Sequence, residues 1–166
     1  MRRWFVWDVL TNAAYPLAAL AVARDSPAGY VFVGLMTLLG IASTLYHAGV
    51  PRAVHLDMMG IYAVGVALWL VTILGTGVPT AIAMPAAIPA AYLLRMKQLD
   101  VRMEVKVGAL FGVLYATAFL FHGFQWEILA SVAIVGMGLV LRPRNHALWH
   151  LVSAYGLALL WIGVTA

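Results

Sequence analysis

The sequence predicts an all-α, polytopic membrane protein: a bundle of seven transmembrane helices forming one domain over residues 1–166. Three observations carry this expectation. Of the 166 residues, 64% are apolar and only 10% charged, and the mean hydropathy is +0.97, which is outside the range of soluble globular chains. The apolar residues fall in runs of about 14–20, separated by short polar turns, as bilayer crossings do. If the runs alternate in direction, every Lys and Arg except Arg24 falls on one side of the membrane, which is the asymmetry of cytoplasmic loops.

The first run covers residues 4–23 and is interrupted by Asp8, Thr11 and Asn12. Ala21-Val22-Ala23 resembles a signal-peptide cleavage site, but an acid and an amide so early are poor signal-peptide chemistry, so a retained helix is expected. After a turn carrying Asp25, Ser26 and Pro27 comes a second helix, 30–47, long enough at about 27 Å to cross the hydrocarbon. Pro51 and Arg52 lead into a third, 56–74. The fourth, 78–94, holds Pro79, Pro85 and Pro89, and the latter two should kink it. A charged stretch, 95–106, precedes the fifth helix, 107–121. The sixth covers 128–141, and a tight loop with Pro143 and Asn145 opens the seventh, 146–165.

The count of seven puts the N-terminus in the cytoplasm and the C-terminus outside. A formal charge of +4 would suggest nucleic acid in a soluble protein; here the basic residues sit between apolar runs, so they are orientation signals and no nucleic-acid partner is expected. Arg52, Arg142 and Arg144 are also placed to hold a lipid phosphate. With no cysteine, thiolate metal sites, disulfides and cysteine nucleophiles are excluded, and any metal must sit on nitrogen and oxygen ligands.

His146 and His150 stand four residues apart at the start of the last helix. That spacing stacks both rings on one face, where they can grip one metal ion. Histidines in a membrane helix are costly without a partner. The alternation of helices brings three more polar residues to the same depth: Ser43 and His47 at the end of the second helix, and Asp57 at the start of the third. His122 falls at the opposite end. Three histidines with a fourth position open form the ligand set of a catalytic zinc site, where the metal lowers the pKa of bound water to about 7. Asp57 is then placed as general base or as a carboxylate orienting an imidazole, and Ser43 as a donor to a developing oxyanion.

Each residue also has a structural reading. Ser43 can bond its preceding turn, Asp57 can complement a helix dipole, and His146 can serve a helix end beside the capping residue Asn145. Their convergence at one depth favours a metal centre. Trp4, Trp7, Tyr46 and Trp149 read as an interfacial belt, and Gly34, Gly40, Gly108, Gly112, Gly136 and Gly138 as points of close helix approach.

The pattern Ser43-x-x-x-His47, Leu56-Asp57 opening the next helix, and His146-x-x-x-His150 in the last resembles the CREST superfamily of seven-helix membrane hydrolases. That superfamily contains alkaline ceramidases, progestin and adipoQ receptors with the haemolysin III proteins, and lipases that remodel GPI anchors. The resemblance implies zinc ligands at His47, His146 and His150, and the family's serine and aspartate at Ser43 and Asp57. The stretch from Asp8 to Pro16 is similar to the acid-x-x-Thr/Asn segment of ceramidase-like members. Only Asp8 of their acidic calcium-binding cluster is present, so no calcium site is carried over. An inward N-terminus looks more like the adipoQ-receptor branch. His55 departs from the pattern and reads best as an interfacial histidine.

The expected function is therefore zinc-dependent hydrolysis of a membrane lipid, a ceramide-like amide or an ester, with release of a fatty acid. The alternative is a non-catalytic receptor or sensor in which zinc ties two helices together. A haem carrier, a retinal protein and a proton-coupled transporter fit less well: the histidines cluster at one end, the last helix has no lysine, and no acid lies at mid-membrane depth.

Overall fold

A computed structural model describes residues 4–23, 25–51, 53–74, 103–142 and 145–166, and the fourth expected helix, 78–94, lies outside them. The described residues are helical, without strands: α1 Trp4–Thr11, α2 Ala14–Val22, α3 Pro27–His47, α4 Ala53–Leu74, α5 Met103–His122, α6 Trp126–Leu141 and α7 His146–Thr165. Three stretches, Pro27–His47, Ala53–Ile73 and His146–Thr165, are long and apolar enough to cross a membrane. Large side chains such as Leu17, Leu38 and Leu120 are exposed on the outside of the bundle. Water would penalise that surface, whereas lipid would not.

Helix ends follow local chemistry. The Ser26 hydroxyl accepts from the Gly29 amide at 3.0 Å and Pro27 occupies the first turn, so α3 begins earlier than the apolar run alone suggests. Asn145 caps α7 by accepting from the Leu148 amide, also at 3.0 Å. Gly49 and Gly123 take positive φ in the turns after α3 and α5.

The first expected helix is split. Asn12 and Ala13 form a turn, and the amides of Asn12, Ala13 and Tyr15 bond three residues back. Pro16 is the physical reason: it has no N–H for the Asn12 carbonyl, and its ring crowds that oxygen. The break is packed rather than loose. A Cβ on Gly40 would stand 2.9 Å from the Asn12 carbonyl and 3.3 Å from the Pro16 ring, so only glycine lets α3 approach here. Gly138 plays the same part against the Trp149 ring. By contrast Gly34, Gly112 and Gly136 face open space, while Gly108 lies outside the described side chains.

Side-chain pairings fix the directions. Phe32 stacks on Trp161 with ring centroids 4.4 Å apart, and His47 meets His146, so α3 and α7 are antiparallel. Asp8 and Thr11 meet His150 while Tyr15 meets Ser153, so α1 and α2 run parallel to α7. Trp69 bonds Thr117 and Thr72 bonds His122, which makes α4 and α5 parallel and puts His122 at the end away from the other histidines.

Candidate metal centre

The last turn of α3 and the first turns of α4 and α7 meet at one end of the bundle. His47 ends α3; His146 and His150 share the inner face of α7 one turn apart. The three rings pack with centroids 4.7–5.0 Å apart. His47 Nε2 and His146 Nε2 are 3.1 Å apart, close to the edge of about 3.3 Å expected between two imidazole nitrogens on one tetrahedral ion. No two donor atoms of the triad are more than 4.8 Å apart, so the three histidines lie close enough to bind a metal ion. His150 is buried, and His47 and His146 are half-buried.

Helix α1 fixes the proton of His150. Its Nδ1 lies 3.2 Å from the Asp8 main-chain carbonyl and 3.2 Å from the Thr11 hydroxyl oxygen. The carbonyl can only accept, and the Thr11 hydroxyl spends its own proton on the Trp7 carbonyl at 2.8 Å. Nδ1 must therefore be the donor, which leaves the Nε2 lone pair for the metal, the usual support of a ligating histidine.

Beside the triad lies a cavity of about 400 Å³, within the range of small-ligand sites. Ser43, Asp57 and Tyr15 line it together with all three histidines. Ser43 is buried and Asp57 half-buried, and the serine hydroxyl donates to the carboxylate. The hydroxyl expected to meet an oxyanion thus holds Asp57 in this structure. All five residues singled out by sequence reasoning are brought together. His55 is exposed and does not line the cavity.

Sequence reasoning missed two contributors, Trp149 and Tyr15, and gave a third, Arg142, a role only in orientation and in holding a lipid phosphate. Trp149, expected in the interfacial belt, forms part of the cavity wall, seated by Gly138. Arg142, just past α6, turns into the same cavity. Tyr15 is buried, and its hydroxyl is 2.9 Å from Ser153, which in turn donates to the His150 carbonyl at 3.2 Å. One signal was available: Asp8, Thr11 and Tyr15 are spaced i, i+3, i+7, a polar stripe on one helical face.

The chain matches no protein-family model, no curated protein and no solved structure.

Proposed function

We propose that the protein is a zinc-dependent intramembrane hydrolase that cleaves the amide of a ceramide-like lipid, or a related ester, and releases a fatty acid. The observation that carries this reading is the convergence of His47, His146 and His150 on a cavity that also holds the Ser43–Asp57 pair. The motif resemblance to the CREST superfamily supports it. The loop charges support a site on the cytoplasmic side.

The donor set suits zinc: three neutral imidazoles, no thiolate, and a cavity against the triad for a further ligand. When bound, zinc acts as a Lewis acid and lowers the pKa of water at its open position to about 7. The remaining work falls to side chains of this chain. The apolar wall, including Ile61 and Leu139, takes the acyl chain and keeps bulk water from the carbonyl. Asp57 accepts a proton from the attacking water as its oxygen bonds the carbonyl carbon. It then passes that proton to the nitrogen as the C–N bond breaks, giving a carboxylic acid and an amine. Ser43 first aligns Asp57. Once the carboxylate is protonated it is a weaker acceptor, and the hydroxyl is free to turn to the oxygen that has become negative.

Purified protein should release fatty acid from a panel of ceramides and esters, and Asp57→Ala should abolish release while zinc stays bound. Full turnover in that variant contradicts the role given to Asp57. Bound zinc with no turnover of any lipid favours the receptor alternative, in which the His47–His146 link simply ties α3 to α7.

A further inference from the structure

Among the described side chains Arg142 is the one Lys or Arg, and it lines the cavity beside the histidine triad. A cation that served only membrane orientation would point into water. Arg142 instead is half-buried, and its charge acts on Asp57, His146 and His150. Its place along the bundle is informative. Arg142 follows the last residue of α6, while Ser43, Asp57 and His150 each lie about one turn inside their helix ends, so its backbone stands at the helix-end rim of the cavity, about one turn outward of theirs. Further inward the wall turns apolar, at Ile61 and Leu139. The cavity is therefore graded from a cationic rim to an apolar floor.

We propose that Arg142 makes this cavity a site for phosphate-bearing lipids, its guanidinium holding the head-group phosphate while the acyl chain occupies the apolar floor. A planar fork of donors matches a phosphate bidentately. With a divalent ion on the imidazoles, the carboxylates Asp8 and Asp57 are outnumbered and the site carries excess positive charge. Depth separates the head group from the other anion available, the carboxylate of a released fatty acid. That carboxylate forms at the level of the Ser43–Asp57 pair, whereas a phosphate on the amine or alcohol portion of the intact lipid lies outward of it, toward the helix-end rim from which Arg142 enters the cavity. The inference rests on the hydrolase reading for the fate of the lipid, but the binding it predicts needs no turnover.

The test is titration calorimetry on the metal-loaded full chain in uncharged detergent. The probes are a short-chain ceramide, its phosphorylated counterpart, a fatty acid of equal chain length and inorganic phosphate. Wild type should bind the phosphorylated lipid at least about tenfold more tightly than the neutral one. Arg142→Gln should shrink that ratio below about twofold, and Arg142→Lys should keep part of it. Equal affinities in wild type, or a ratio unchanged in Arg142→Gln, overturn the proposal. A fatty acid that gains as much from Arg142 as the phosphorylated lipid does also overturns it, because the anion held is then the product. So does inorganic phosphate that competes at equal concentration, because the site is then one for simple anions. Should Arg142→Gln lose its metal, Arg142→Lys decides, and an undiminished ratio there counts against the proposal. Charge-selective binding without fatty-acid release overturns the hydrolase reading and leaves this one standing; equal binding and equal hydrolysis of charged and neutral lipids does the reverse.

Discussion

His150 Nδ1 lies 3.2 Å from the main-chain carbonyl of Asp8, although 142 positions separate the two residues. The contact ties the first helical segment to the metal centre and fixes which imidazole nitrogen is free to ligate. Thr11 supplies a second acceptor on the same side. Thr11→Val should therefore weaken metal binding by roughly tenfold, the low end of what such supporting contacts contribute. Thr11→Ser should restore it. Competition against a chelator of known affinity measures both, and identical affinities in all three proteins would remove the Thr11 hydroxyl from the support of the metal centre.

Gly40→Ala should destabilise the bundle by about 1–2 kcal/mol, because the new methyl meets the Asn12 carbonyl and the Pro16 ring at the break between α1 and α2. Gly34→Ala, on the same helix but facing open space, should stay within about 1 kcal/mol of wild type and gain from better helix propensity. Reversible unfolding in mixed micelles compares them. A tolerated Gly40→Ala would mean that the break is not packed as described.

Ser43→Ala should lower turnover by roughly 10²-fold and leave metal content unchanged, since the hydroxyl holds Asp57 and lies against the cavity without contributing a ligand. A serine that merely bonded its own preceding turn would give no such loss. Single-turnover rates on a metal-loaded variant make the distinction.

Acid should strip the metal. Ligating imidazoles must be unprotonated, so release of the ion is coupled to uptake of up to three protons by His47, His146 and His150. Affinity therefore falls as pH is lowered, by at most roughly a thousandfold per pH unit once all three freed rings protonate. Metal affinity measured across a pH series checks the sign and the steepness. An affinity independent of pH would mean that imidazoles are not the ligands.

The site's membership was legible in the sequence because alternation of apolar runs, a property of the whole chain, decides which residues share a depth. Ser43, His47, Asp57, His146 and His150 met where that rule put them. His122 fell at the opposite end for the same reason. What depended on rotation about a helix axis or on a local break was not legible. The turn at Asn12 and Ala13 was signalled by Pro16, but periodicity read over the whole run passes through it. Glycines at Gly34 and Gly40 look alike in sequence, and only packing tells them apart. Trp149 belongs by type to the membrane interface, yet its neighbour Gly138 draws it inward to the cavity. Hydroxyl partners were the least accessible: the bond from Ser43 to Asp57 joins two helices whose relative rotation no sequence pattern specifies.

Metal content per chain is the most direct test of the account. Elemental analysis of the purified protein beside His47→Ala, His146→Ala and His150→Ala should find one zinc per wild-type chain and a loss in every variant. A wild-type protein that takes up no metal when zinc is supplied, or variants that retain it in full, would contradict the central claim that these three imidazoles form one metal centre.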